Sequence, residues 1–353
     1  MKVLIMAGGT GGHVYPALAV AQELRGRGHE VVWMGAPDSF EARTVPPQGF
    51  AMEFVRVTGL RGKGVLKWLA APWLLLRALM DALGALHRQR PAAVLGMGGF
   101  ASGPGGVASW IKGRPLVIHE QNAAPGLTNR LLARFARRAL QAFPGTFAGA
   151  DDVGNPVRAA IAALAPPEQR FAGRTARPHL LVLGGSQGAR ALNERIPEAI
   201  ALLPGSSRPA IWHQAGRTLD VAQAAYARTQ VDASVEPFID DMASAYAWAD
   251  LVVCRAGAST IAELAAAGCG AVLVPFPFAV DDHQTRNAQF LVAAGAAFLV
   301  PEATLTAQAL AGVLSGLLGD RAKLLAMARA ARARSWRDAE KRIADAVLAE
   351  ARP

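Results

Sequence analysis

One arrangement occurs twice in this chain and restricts its fold more than any other feature. A short apolar run meets a glycine-rich loop, and a helical pattern follows. Lys2–Met6 (KVLIM) runs into Gly8-Gly9-Thr10-Gly11-Gly12-His13, and His179–Leu183 (HLLVL) runs into Gly184-Gly185-Ser186-Gln187-Gly188-Ala189. An apolar run of this length, closed by glycines, has the form of a strand buried on both faces of a parallel sheet. A third loop, from Gly96-Met97-Gly98-Gly99 to Gly103-Pro104-Gly105-Gly106, follows the run Ala93–Leu95. Further β-type runs fall at Val31–Met34, Ala51–Val57, Leu116–His119 and Ala139–Ala142, then at Ala210–His213, Leu251–Cys254, Ala271–Val274 and Ala297–Val300. Helical patterns separate them: Pro16–Arg27, Gly64–Arg90, Gly103–Lys112, Gly126–Arg138, Ala258–Ala267 and Asp282–Ala294. The alternation breaks between Pro144 and Arg177, where prolines and glycines cluster, and from about Thr306 the tail is helical and rich in Ala and Arg. The fold class is therefore α/β, with two Rossmann-like, doubly wound domains joined by one linker. The expected bounds are 1–155, 156–336 and a C-terminal helical stretch 337–353 that packs back on the first domain. Ligands of such sheets bind at the carboxyl ends of the strands, so a cleft faced by both sheets is the expected site.

Glycine lets main chain approach a ligand closely, and helix N-termini offer N–H groups to phosphate oxygens. Three such loops in one chain suit two anionic groups. They do not suit a nicotinamide dinucleotide. GxGxxG from Gly9 requires glycine where Val14 stands, and from Gly184 where Ser186 stands; the second strand ends in Met34-Gly35-Ala36-Pro37, with no ribose-binding acid. A P-loop signature is absent as well. A further cluster, Cys254-Arg255-Ala256-Gly257-Ala258-Ser259-Thr260-Ile261-Ala262-Glu263, joins a strand to a helix start. N–H groups of 258–260 would face a phosphate there. Glu263, one turn on, either meets a neutral diol such as ribose or caps its own helix. Asp281-Asp282-His283-Gln284-Thr285-Arg286-Asn287 opens the next helix, and amide side chains there can read sugar hydroxyls or simply sit in a solvated helix start.

The formal charge of +10 over 353 residues favours anionic partners: nucleic acid, acidic lipid or phosphorylated substrates. Nucleic-acid binding calls for clustered basic residues with interleaved aromatics. Here the arginines are spread, and several (Arg329, Arg332, Arg334, Arg337) lie in the Ala-rich tail, so no nucleic acid partner is expected. Cys254 and Cys269 are too few for a disulfide framework and read as small core residues of a protein in a reducing compartment. The apolar run after Met1 is too short for a signal peptide. The longest charge-free stretch, the 21 residues Pro91 to Ile111, holds six glycines and Pro104 and cannot be a continuous spanning helix.

The motifs GGTGGH, GMGGFASGPGG, HEQNAAPGLTNR, GNPVR, GGSQGAR, PFIDDM, CRAGASTIAELAAAG and DDHQTRNA occur together and in this order. From about residue 3 to 295 the chain resembles the MurG family of bacterial cell-wall synthesis; the last stretch of about 60 residues matches in helical character only. The resemblance implies a GT-B fold whose C-terminal domain binds the donor nucleotide, and an N-terminal domain that meets acceptor and membrane. It implies inverting transfer of N-acetylglucosamine from UDP-N-acetylglucosamine to the 4-hydroxyl of lipid I, undecaprenyl-diphospho-muramoylpentapeptide. It implies no cofactor, cell-wall or division proteins as partners, and a peripheral place on the cytoplasmic face of the inner membrane. Carried onto this sequence, Thr10, Gly11 and Gly12 border the donor sugar and Asn122 contacts it. Arg158 reaches the nucleotide, Ser186 serves the diphosphate, and Ile239 reads the uracil edge through its main chain. Ala258, Ser259, Thr260, Ile261 and Ala262 cover diphosphate and ribose, Glu263 holds the diol, and Gln284 holds sugar hydroxyls. The stretch Pro277–Val280 departs from the family by being more apolar.

A β-linked product from an α-linked donor requires a single in-line displacement, so the acceptor hydroxyl must lose a proton to a general base. His13, just past the first loop, is the leading candidate; the alternative is that it grips a substrate phosphate. Glu120 is the second candidate. Asp240-Asp241 and Asp281-Asp282 are adjacent pairs whose side chains diverge on a helix, so no metal is expected. The segment 64–83 is apolar on two stripes, one of Leu66, Leu69, Trp73, Leu76, Met80 and Leu83, the other of Trp68, Pro72, Leu75 and Leu79. Packing on a sheet uses one. With Arg61, Lys63, Lys67 and Arg77 nearby, and Trp110 and Lys112 ending another helix, Trp68, Trp73, Leu75, Leu79 and Trp110 are expected to meet an anionic membrane; burial between two layers is the alternative. Other functions compatible with the loops are a UDP-sugar epimerase or another GT-B transferase.

Overall fold

The computed structural model describes residues 1–57, 65–185 and 187–352, with side chains of 65–70 outside the description. The chain forms two compact units, Met1–Pro156 with the stretch from Asp338, and Val157–Arg337.

Unit 1 runs β1 (Lys2–Met6), α1 (Gly11–Gly26), β2 (Glu30–Gly35), α2 (Phe40–Thr44), β3 (Ala51–Phe54), α3 (Val65–Gln89), β4 (Ala93–Gly96), α4 (Ser102–Ile111), β5 (Leu116–Glu120), α5 (Leu127–Leu132), β6 (Arg138–Gln141) and β7 (Asp151–Asp152). The seven strands are parallel, in the order β3-β2-β1-β4-β5-β6-β7. The central strands β1, β2 and β4 are buried on both faces, which is why they read as unbroken apolar runs. One face packs against α1, with Val14, Ala17, Val20 and Leu24 over Val3 and Ile5. The other packs against α3, α4 and α5, with Ala78, Ala82 and Ala85 of α3 over Leu4, Met6 and Met34.

Unit 2 runs α6 (Ala159–Ala162), α7 (Pro167–Phe171), β8 (His179–Leu183), α8 (Arg190–Ala201), β9 (Ala210–Gln214), α9 (Leu219–Thr229), β10 (Ser234–Glu236), α10 (Met242–Trp248), β11 (Leu251–Cys254), α11 (Ala258–Ala267), β12 (Gly270–Leu273), α12 (His283–Val292), β13 (Ala297–Leu299), α13 (Ala307–Leu318) and α14 (Arg321–Ala333). Its six strands are also parallel, ordered β10-β9-β8-β11-β12-β13. The last helix, α15 (Ala339–Glu350), belongs to unit 1: Ile343, Ala344 and Val347 are buried with α1 and β1, and Asp345 pairs with Arg27.

Several element bounds differ from the sequence expectation for identifiable reasons. α1 begins at Gly11, not Pro16; Thr10 is its extended N-cap, and Pro16 inside the helix forgoes one main-chain bond. His13 therefore stands in the first helical turn. α5 is short because the chain must turn into β6. β7 and β10 have two and three residues, are polar and lie at sheet edges, so they carry no apolar signature. The Pro-rich break holds two short helices, α6 and α7.

Candidate functional site

In unit 2 the strand order reverses between β8 and β11, and the loops after these strands carry the expected nucleotide contacts. The Gly184 N–H donates to the Gln214 carbonyl (2.9 Å) and the Gly188 N–H to Gly185 O (3.1 Å), folding the loop back on itself. Ser186 lies outside the described residues. After β11, Gly257 is extended and α11 opens with no side-chain cap. Ala258 is buried; Ser259 Oγ is buried with no partner among the described residues. An unpaired buried hydroxyl costs about 1–3 kcal/mol, so an oxygen-rich ligand at this helix start suits both the hydroxyl and the uncapped N–H groups. Thr260 and Ala262 are half-buried. The Ile261 side chain is wholly buried and its N–H donates to Gly257 O (2.9 Å).

Glu263 is in the second turn of α11. Its Oε1 meets Arg158 Nε at 3.0 Å and Nη2 at 2.8 Å, and its Oε2 accepts from the Tyr246 hydroxyl at 3.1 Å. It does not cap its own helix. Burial pushes its carboxyl up, against the pull of Arg158 and Tyr246. The fully buried Tyr246 hydroxyl is pushed well up, chiefly by burial and then by the Glu263 charge. Gln284 Oε1 accepts from Ala256 N–H (3.2 Å) and Phe276 N–H (2.9 Å), tying the ends of β11 and β12 together and leaving its NH2 to donate outward. Asn287 Nδ2 donates to Ala256 O (3.2 Å), fixing the same register. Ile239 is 2% exposed and its N–H is already given to Gln214 Oε1 (3.1 Å), so its carbonyl is the main-chain group left to read a base.

In unit 1 the reversal falls between β1 and β4. Their loops meet main chain to main chain: Gly8 N–H donates to Gly98 O (3.3 Å), and a Cβ on Gly99, whose φ is +90°, would lie 2.5 Å from Gly8 O. Only glycine fits there. Thr10 and Gly12 are exposed and Gly11 half-buried. His13 Nδ1 lies 3.0 Å from Gln121 Oε1, and Gln121 Nε2 donates to Met97 O at 2.9 Å.

Glu120 is placed differently from His13. It is 2% exposed; Oε1 accepts from Asn122 N–H (3.0 Å) and Asn122 Nδ2 (3.3 Å), Oε2 from Gly126 N–H (3.2 Å) and Asn129 Nδ2 (2.9 Å). Its lone pairs organise the turn from β5 to α5 instead of facing a substrate. Asn122 is thereby oriented by Glu120. His119 Nε2 donates to Gly154 O (2.9 Å), and burial lowers its pKa to about 4; Asn155 Nδ2 donates to Gln121 O (2.9 Å). The HEQN and GNP motifs are therefore bonded to each other.

On α3, Trp73 (67%), Leu75 and Leu76 are exposed, as is Trp110 (63%) on α4 beside Phe135. Leu79 is half-buried and packs on the core. The face of α3 turned to the sheet carries Ala78, Ala82, Ala85 and Leu86, with Leu79 and Leu83 at its margin. Trp68, Arg61 and Lys63 have no described side chain. Among the described residues no helix is long and apolar enough to cross a membrane, and no three His, Cys, Asp or Glu side chains gather as a metal site.

Sequence reasoning missed Glu41, Gln121, Gln214 and Tyr246. Each acts through a partner distant in sequence; Gln121 stands inside the HEQN motif, and no local motif marks the other three.

Two doubly wound units of parallel strands make this a GT-B fold. Residues 3–141 match the glycosyltransferase family 28 N-terminal domain and residues 179–343 the family 28 C-terminal domain. A UDP-N-acetylglucosamine–N-acetylmuramyl-(pentapeptide) pyrophosphoryl-undecaprenol N-acetylglucosamine transferase of Xanthomonas euvesicatoria is 57% identical over 350 residues, 99% of this chain and 81% of that one. A protein of the same name from Nitrosococcus oceani is 56% identical over 352 residues, 99% of this chain and 98% of its own. The crystal structure of Acinetobacter baumannii MurG superposes with a TM-score of 0.88 at 40% identity, covering 99% of both chains. The chain belongs to glycosyltransferase family 28 and, within it, to the MurG family.

Proposed function

We propose that this chain transfers N-acetylglucosamine from UDP-N-acetylglucosamine to the 4-hydroxyl of the muramyl sugar of lipid I, forming lipid II. The observation that carries the reading is 57% identity over 99% of the chain to a transferase of that name. Unit 2 takes the donor nucleotide: the N–H groups opening α11 and the Ser259 hydroxyl face the diphosphate, and Glu263 the ribose diol. Arg158, now paired with Glu263, is within reach of the same nucleotide. Gln284 donates to sugar hydroxyls, and Ile239 offers its carbonyl to the base. Unit 1 takes the acceptor; its Thr10, Gly11, Gly12 and Asn122 line the donor sugar, and His13 Nε2 accepts the proton of the attacking hydroxyl. UDP leaves with its charge held by N–H groups that need no reorganisation.

The lipid of the acceptor gives the exposed aromatic and aliphatic side chains of α3 and α4 a role: Trp73, Leu75 and Trp110 rest on an anionic membrane surface at its cytoplasmic side. Cell-wall synthesis or division proteins are the expected protein partners. The direct test supplies UDP-N-acetylglucosamine and a short-chain lipid I analogue. UDP release with a β-1,4-linked disaccharide product is expected. Conversion of the donor without acceptor, as by an epimerase, would overturn the reading.

A further inference from the structure

We infer that Gln121 is a positioning residue that sets the tautomer of His13, presenting Nε2 as the lone-pair nitrogen. The inference rests on the reading of His13 as general base. The Met97 carbonyl can only accept, so the Gln121 group 2.9 Å from it is the NH2, and the group 3.0 Å from His13 Nδ1 is the amide oxygen. That oxygen carries no proton. The proton in the bond must therefore sit on Nδ1, and the neutral ring keeps its lone pair on Nε2, to which no described residue hydrogen-bonds.

The amide cannot turn over easily. Gln121 is 1% exposed, its main-chain oxygen accepts from Asn155 Nδ2 at 2.9 Å, and Met97 is itself fixed by its N–H bond to Met6 O (2.8 Å). Gly98 forms a floor under the ring, since a Cβ there would lie 2.8 Å from His13 Nδ1. The titratable neighbours leave this bond alone: His119 is buried on Gly154 O, Glu41 accepts Gly9 and Ala36 N–H, and Glu120 accepts four donors of its own turn. A neutral amide, unlike a carboxylate, orients the imidazole without holding the imidazolium once formed, so the proton can be passed on.

Tautomers are read directly from two-bond 1H–15N spectra of the full chain labelled at histidine, with the His13 signals assigned by their loss in His13→Asn. The wild-type ring is expected to carry its proton on Nδ1 above its titration. In Gln121→Leu the Nε2–H form should grow and kcat fall about 10–100-fold with the donor KM unchanged. Gln121→Glu, whose protonated carboxyl can donate to the Met97 carbonyl while its other oxygen accepts from Nδ1–H, should retain the tautomer and recover turnover above the leucine variant. An Nε2–H ring in the wild type overturns the inference without either Gln121 variant having to fold. So does an unchanged tautomer with unchanged kcat in Gln121→Leu. Near-normal turnover of His13→Ala at saturating acceptor would instead overturn the base reading, a result separable from the spectrum, which reports the Gln121–His13 bond alone.

Discussion

The first glycine loop of unit 1 is closed by a carboxylate of its own fold, whereas the loops of unit 2 are closed by neutral oxygens. Glu41, 2% exposed, accepts the Gly9 N–H on Oε2 (2.9 Å) and the Ala36 N–H on Oε1 (3.1 Å). In unit 2 the acceptors are the Gln214 carbonyl for Gly184 and Gln284 Oε1 for Ala256. A carboxylate that accepts the N–H of Gly9, two residues before α1, opposes a second anion at the positive end of that helix. The three glycine loops are therefore not equivalent phosphate cradles, as their sequences suggest. A glycine-rich turn provides close approach of main chain; whether it attracts phosphate depends on whether the fold supplies its own acid. On this account unit 2 holds the charged part of the donor and unit 1 supplies proton chemistry.

The division of labour fails most visibly if unit 1 only binds. His13→Ala should lower turnover by about 10²–10⁴-fold with donor affinity little changed. A raised acceptor KM with turnover kept would make His13 a phosphate ligand. Acid should act on both units alike, because each buries a neutral histidine. Burial lowers His119 to about 4 in unit 1 and His213 to about 3 in unit 2, from an ordinary 6.5. The unfolded chain then binds more protons than the folded one between these limits, so stability present above about pH 6.5 is lost as pH falls towards 4 and 3, by ~3 kcal/mol or more per histidine. Denaturant titrations at pH 7 and pH 4.5 check this; equal stability at both would contradict it.

Two smaller effects sharpen the contrast. Trp73→Ser with Trp110→Ser should weaken binding to anionic vesicles by about 10-fold and leave UDP binding unchanged, since only unit 1 is touched. Equal vesicle binding would return those side chains to an ordinary surface. Tyr246→Phe removes one hydrogen bond to Glu263 and should raise the donor KM by about 2–10-fold while kcat holds. An unchanged donor KM would mean that the Tyr246–Glu263 bond does not set the diol contact.

The parallel strands and their glycine loops were legible because burial on both faces writes β1, β8 and β11 as apolar runs ending in small residues. The edge strands β7 and β10 left no such trace. Candidate site residues were legible where they stand in a local motif, as His13, Ser259 and Glu263 do. A role was not legible where a side chain serves the fold from a distance. Glu120 looks like a free acid in HEQN until its four donors are seen, and Ile261 stands in the nucleotide motif yet points into the core. Glu41 follows the second strand too late to be read as a ribose acid, and its contact with Gly9 spans 32 residues. The outward face of α3 was read from its large side chains; the inward face, mostly alanine with Leu86, gave a weaker stripe to follow.

The measurement that bears most directly on the two-unit account is calorimetric titration of UDP into the wild-type chain, Glu263→Ala and Glu41→Gln. One site is expected, its Kd raised by about 10–100-fold in Glu263→Ala, where a charge-assisted bond is lost, and changed by less than about 2-fold in Glu41→Gln. A Kd unmoved by Glu263→Ala but shifted by Glu41→Gln would place the nucleotide at the loop of unit 1 and contradict the account.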